Sequence, residues 1–162
     1  MRVEMSVVLA SVVVVLVGCS DRGREIVRIE RVIDAYHAAA SRADLEGYIG
    51  LMSDGSVFLG TDASERWTRD EFRAFCEPYF AAGRGWTYVP VERHVEIAAG
   101  GRTAWFDEIL SNESYGTLRS TGVLSRDAGD WRIEHYSLTF LVPNDVAKEV
   151  VKMIREEGGN AD

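Results

Sequence analysis

Apolar residues fall along this chain in three rhythms. From Met5 to Val17 they are almost continuous (MSVVLASVVVVLV). Between Glu25 and Phe80 they return every three or four positions, the spacing of one helix face, and from Trp86 to Leu141 they follow the two-residue alternation of strands. Ile26, Ile29, Ile33, Tyr36 and Ala40 form one stripe opposite Arg24, Arg28 and Arg31, which predicts a helix from Glu25 to Ser41. Leu45, Tyr48, Ile49 and Met52 predict a shorter helix that stops at the turn signal Ser53-Asp54-Gly55, with Val57-Phe58-Leu59 as a brief strand beyond it. A third helix begins at Thr68, whose hydroxyl and Glu71 have capping-box spacing. Its stripe is Phe72, Phe75, Cys76, Tyr79 and Phe80, so Cys76 reads as core rather than as a reactive thiol, and Pro78 should kink or end the regular part.

After Gly85 the strands are long. Trp86 to Ala98 makes a bent strand or a pair broken near Pro90, Gly100-Gly101 turns into RTAWFDEILSNE, Gly116 opens GTLRSTGVLSR, and Asp127 to Asp130 (DAGD) turns into WRIEHYSLTFLV. Beyond Pro143, Asn144 can cap a last amphipathic helix carrying Val146, Val150 and Ile154. Three helices followed by a meander of antiparallel strands is an α+β plan, with helices gathered on one face of a curved sheet. In the strand Thr103 to Leu110, Ala104, Phe106 and Leu110 share one face while Trp105 and Ile109 share the other, so neither face is simply polar.

The continuous N-terminal run has the length of a signal-peptide core and is too short to span a bilayer comfortably. It ends in Leu16-Val17-Gly18-Cys19, which resembles a bacterial lipobox. The resemblance implies cleavage before Cys19 and acyl chains on its thiol, with the domain outside the cytoplasm on the cell membrane or the outer membrane. Residues 1–18 are then a leader, 19–24 a polar tether, 25–157 one domain and 158–162 a frayed tail. Removing the leader leaves 144 of 162 residues, enough for one core, and the net charge stays at −8 because Arg2 and Glu4 leave together. That charge argues against nucleic acid as a partner. With Cys19 modified, Cys76 has no partner for an intramolecular disulfide.

Phe58-Leu59-Gly60-Thr61-Asp62 leading to Glu65-Arg66-Trp67, then Trp105-Phe106-Asp107-Glu108, then Gly129-Asp130-Trp131-Arg132-Ile133 resemble the SnoaL-like branch of the nuclear transport factor 2-like (NTF2-like) superfamily over roughly Glu25 to Val142. The resemblance implies a cone: a curved antiparallel sheet wrapped around about three helices, open at one end to a pocket, with a C-terminal helix added here. Members include isomerases, cyclases, dehydratases and hydrolases, and many pocketed proteins without a known reaction. Dimers are common among them, and the outer sheet face is where a second copy would sit, although a lipid-anchored member could equally rest as a monomer.

Within such a cone Asp107, sharing parity with Trp105, is the acid expected to face the pocket, where apolar neighbours would raise its pKa toward that of a general base; an ion pair with Arg119 is the plainer role. Glu108 is then sent to the outer face, an assignment that a single bulge would reverse. His135 shares parity with Trp131 and Ile133 and is the proton-transfer partner expected for Asp107, with Tyr136 as alternative. Trp67, Trp86, Trp105 and Tyr136 are the expected ligand-binding residues. His94, alternating with Arg93 and Glu92, reads as surface, as does Glu65, and His37 lies at the margin of the first helix's stripe. The three histidines have no metal-ligand spacing, and no GxSxG elbow, phosphate loop or CxxC is present, so neither a metal nor a cofactor is expected. The expected function is a membrane-held pocket for a small apolar or aromatic molecule. The alternatives are a cofactor-free isomerase or dehydratase using Asp107 and His135, and a pocketless structural protein of the envelope. Cys19→Ser should release the protein from the membrane fraction or leave it as unprocessed precursor, scored by fractionation and by the mass of the N-terminal peptide; unchanged processing and fractionation would refute the lipid anchor.

Overall fold

In a computed structural model the backbone is described for residues 4–127 and 129–158, and the side chains for 21–126 and 129–157. The side chains of the leader and the thiol of Cys19 lie outside the described residues, as does the tail at 159–162. Among the described residues no helix is long and apolar enough to cross a membrane.

Helix α1 spans Glu4–Ser41, α2 Leu45–Ile49, α3 Arg69–Ala81 and α4 Ala147–Gly158. The strands are β1 Met52–Leu59, β2 Arg66–Thr68, β3 Val89–Ile97, β4 Thr103–Asn112, β5 Gly116–Asp127 and β6 Asp130–Phe140. The expected tether is helical: Arg22 pairs with Glu96 and Arg24 with Asp21, and one glycine in a charged run does not stop a helix that such pairs support. Thr68 and Glu71 close the capping box. Pro78 does not end α3 before Ala81, since it sits on the helix's exposed side. Ser53-Asp54-Gly55, read as a turn, lies inside β1, where the register with β6 shifts between Met52 and Val57. The last helix starts at Ala147, three residues after the expected Asn144 cap.

The six strands form one curved sheet in the order β2-β1-β6-β5-β4-β3. The meander β3 to β6 is antiparallel as expected, but β1 runs parallel to β6, so the sheet is mixed. Helices α1 to α3 fill its concave face. Ile29, Ile33, Tyr36 and Ala40 of α1 are at most 1% exposed, and Phe72 and Cys76 of α3 meet the same core, where burial pushes the Cys76 thiol up to about 12. Cys76 is thus inert core.

Inward positions on β4 are Ala104, Phe106, Glu108 and Leu110, all buried, while Trp105 is 47% exposed. The register is therefore opposite to the one expected: Asp107 points out and Glu108 in. The bulk of Phe106 and Leu110 decides it, because both must leave water and they share parity with Glu108. On β6, Trp131 and Ile133 point inward, an extra residue at Glu134 breaks the pairing with β5, and from there Tyr136 and Leu138 point inward. That bulge sends His135 to the other face.

Gly122 of β5 lies between Phe106 and Tyr136 across the sheet, and a Cβ there would meet the Phe106 ring and stand 2.8 Å from the His135 carbonyl oxygen. The missing side chain lets both rings close over the strand. Gly122→Ala should destabilise the domain by about 1–3 kcal/mol, with a melting temperature lower by about 2–4 °C per kcal/mol; an unchanged thermal midpoint would show that the rings move freely.

Candidate functional site

A row of three side chains crosses the concave face. Arg93 of β3 is paired with Glu108 of β4, and Glu108 with Ser120 of β5, so pleat geometry alone stacks a guanidinium, a carboxylate and a hydroxyl side by side. Arg93 Nε donates to Glu108 Oε2 at 2.7 Å, and Ser120 Oγ donates to Oε1 at 2.6 Å. From above, α1 adds two residues one turn apart. His37 Nε2 lies 2.6 Å from Glu108 Oε1, and Asp34 accepts from Arg93 Nη1 at 2.7 Å. The Glu108 side chain is 0% exposed and that of His37 7%, whereas Asp34 reaches solvent.

Burial alone would push the Glu108 carboxyl up, but the hydrogen bonds and charges of His37, Ser120 and Arg93 outweigh it and hold the group below its ordinary range. An ionised carboxylate only accepts hydrogen bonds, so His37 donates from Nε2 and Nδ1 is left as the ring's acceptor. The carboxylate thereby fixes the tautomer of the imidazole.

His37 lines a cavity of about 290 Å³ that opens between the β4–β5 turn and the loop before β2. Its wall is aromatic. Phe58 stacks on Phe72 with centroids 3.8 Å apart, Trp67 on Phe75 at 4.6 Å, and Trp86 packs against Phe80 at 4.7 Å. Tyr48 and Tyr136 complete the inner wall, and burial raises both phenols well above their ordinary value, so they remain neutral donors. Gly60, Thr61, Glu65 and Tyr115 rim the mouth. Among the described residues no cluster of three or more His, Cys, Asp or Glu side chains is arranged to hold a metal ion.

Of the residues singled out in the sequence, Trp67, Trp86 and Tyr136 line this cavity. Trp105 does not: it lies half exposed on the outer face. Asp107 and His135 are not part of the cavity either, both having been turned outward by the strand register and the β6 bulge. His37, Glu108, Arg93 and Ser120 were missed. The available signal was parity, since Glu108 alternates with the bulky inward residues, and His37 follows Ile33 by four positions on the buried side of α1.

The profile of the SnoaL-like domain family matches residues 29–143, and the chain belongs to that family. No curated protein matches it. Among solved structures, an NTF2-like protein of unknown function from Pseudomonas putida KT2440 is 17% identical, covering 79% of this chain and 92% of its own, with a TM-score of 0.63. A candidate scytalone dehydratase from Novosphingobium aromaticivorans is 14% identical over 76% of this chain and 89% of its own, at TM-score 0.63. A candidate dehydratase of the NTF2-like family from Streptomyces avermitilis is also 14% identical, over 75% and 99%, at 0.62. These likenesses establish the fold.

Because the Glu108 carboxyl titrates lower in the folded chain than its ordinary 4.5, its contribution to stability is whole above that pH and drains away as pH falls below it. Glu108→Gln removes the buried carboxylate that Arg93 Nε and His37 Nε2 contact, leaving Asp34 as the carboxylate partner of Arg93, and should cost about 3–5 kcal/mol at pH 7. The gap to the unaltered protein should narrow as pH falls from 5 toward 3, measured by urea midpoints; a gap independent of pH would show that Glu108 is not ionised in the fold.

Proposed function

We propose that the domain takes up a small, flat, mostly apolar molecule with one polar group, and that acyl chains on Cys19 hold it to the cell membrane or outer membrane with the cavity outside the cytoplasm. The observation that carries the first part is the pairing of an aromatic wall with a polar corner at the inner end, where His37 reaches the cavity and Glu108 behind it is sealed from water. Apolar walls supply affinity and the corner supplies orientation. The lipobox and the apolar leader support the second part.

A second reading, cofactor-free proton transfer of the isomerase or dehydratase kind, is favoured by the 2.6 Å contact of His37 with Glu108. The roles sketched for Asp107 and His135 pass to His37 as base and Tyr136 as donor to a developing oxyanion. Two structural relatives described as candidate dehydratases lend it the same direction. A pocketless structural role is disfavoured by the cavity itself.

2-Naphthol, flat with one hydroxyl, should quench the tryptophan fluorescence of the full-length chain saturably, and His37→Phe should weaken its binding about ten-fold, the worth of one good hydrogen bond. Absence of saturable quenching overturns the pocket reading. For the second reading, 2-tetralone in deuterated buffer should exchange its acidic carbon-bound hydrogens faster with protein than without, by NMR. Equal rates for the unaltered chain and His37→Phe would leave binding as the sole activity.

A further inference from the structure

The lining of the aromatic cavity is unbalanced in charge. Among the described residues that form it, ten besides His37 carry aromatic rings, one carries a carboxylate, Glu65, and none is lysine or arginine. Glu65 owes its place to Gly60: a Cβ at position 60 would run into the Glu65 side chain, so its absence lets the carboxylate lie over the start of the loop. Glu65 Oε2 accepts from the Asp62 backbone N–H at 3.1 Å, and among the described residues no cation pairs with it. Arg66, next in the chain, is exposed on β2 and stands outside the lining. The carboxylate acts on the cavity's own groups: burial first, and the neighbouring Tyr115 and Glu65 after it, push the Tyr88 phenol up to about 12. The wall toward the opening is made of rings. Phe75, Tyr79 and Trp86 have centroids 5.4–6.4 Å apart and planes inclined by 40–69°, so they form a curved surface rather than a flat one. Tyr79 is 38% exposed and Tyr115 59%. Arg84, itself exposed and outside the lining, already rests over Tyr79 at 5.1 Å from the ring centre, a use of that ring's π face by positive charge.

Electron-rich ring faces and a carboxylate without a fixed counter-charge are complementary to a weakly hydrated cation. A bare metal ion does not fit that description, since Glu65 is the lone carboxylate in the lining and the described residues hold no cluster of metal ligands. An ammonium carrying carbon substituents does, and a space of about 290 Å³ admits it on a small molecule. We infer that the cavity takes an organic cation, with its ammonium group lodged at the mouth beside Glu65 and the rings of Tyr79, Trp86 and Tyr115, and its apolar body running inward toward His37. This rests on the reading of the cavity as a ligand pocket and adds to it a second group, of positive charge, at the outer end of the ligand. The net charge of −8 works in the same direction, by drawing cations toward the protein.

The test uses two probes of one shape, 3-hydroxyphenyltrimethylammonium and 3-tert-butylphenol, which differ by a positive nitrogen in place of a carbon. Each is titrated by calorimetry into the full-length chain in a neutral detergent, and its affinity is compared between variants, so that partition into micelles cancels. The cation should bind saturably. Glu65→Gln, which keeps the shape and can still accept from Asp62, should weaken the cation by about five-fold, the worth of one partly exposed charge pair, and 3-tert-butylphenol by less than about two-fold. Glu149→Gln, which removes the same charge from α4, should change neither. Thermal midpoints without probe check that each variant folds; should Glu65→Gln fail to fold, Tyr115→Leu, which replaces an exposed ring by an aliphatic side chain, should still weaken the cation by about three-fold and the neutral probe by less than about two-fold. Cation binding that Glu65→Gln leaves unchanged, or equal loss of both probes, overturns the cation site. Saturable binding of 3-tert-butylphenol without binding of the cation overturns it too and leaves the pocket reading standing. No saturable binding of either probe overturns both.

Discussion

A carboxylate with no access to water dictates much of this domain's arrangement. Glu108 can remain ionised inside the cone only if its oxygens are occupied, and the fold supplies Arg93, Ser120 and His37 from three different elements to do so. Each of these requirements fixes something larger. Arg93 and Ser120 must be in register with Glu108, which sets the alignment of three strands. His37 must reach down from α1, which sets the depth and rotation of the longest helix over the sheet. Asp34, one turn earlier, ties the far side of Arg93 back to the same helix. Helix and sheet are thus joined by a polar clamp at the inner end of the cavity, and by apolar packing elsewhere.

The clamp also divides labour within the cavity. Rings on β1, α3 and the segment before β3 make an apolar surface without directional hydrogen-bonding groups. The hydrogen-bonding groups at the inner end are His37 and, beside it, the neutral phenols of Tyr48 and Tyr136. Such an arrangement tolerates changes in the wall far better than changes in the corner, which is one physical reason a single fold family can serve many chemistries.

The helical stripes, the capping box at Thr68, the meander after Gly85 and the family of the fold were all legible in the chain, because each depends on local periodicity. Less legible were features settled by pairing between distant strands. Nothing local marks β1 as parallel to β6, or shows that Ser53-Asp54-Gly55 is absorbed into a bulged strand. The exchange of Asp107 for Glu108 came from ranking one tryptophan above two aliphatic and aromatic neighbours: Trp105 stays half exposed, while Phe106 and Leu110 go inside. Arg93 was not singled out, since a charged residue between Glu92 and His94 looks solvated until its cross-strand partner is known. Trp67 and Trp86 could be placed because bulky aromatics next to loops tend to line an opening.

The extra residue at Glu134 carries a consequence beyond its own pairing. It acts as a phase shift in β6, so that Trp131 and Ile133 before it and Tyr136 and Leu138 after it all face inward, although no strict alternation could place them so. The two halves of the strand are therefore independent in parity: one end packs against α1 at Glu25, the other furnishes the cavity. Straightening the strand while keeping that residue would present His135 to the interior and eject Tyr136, turning the cavity's phenol into an imidazole by a change of pairing rather than of composition. In a lineage that exchanges reactions on one scaffold, such a slip offers a route to a new inner surface in one step.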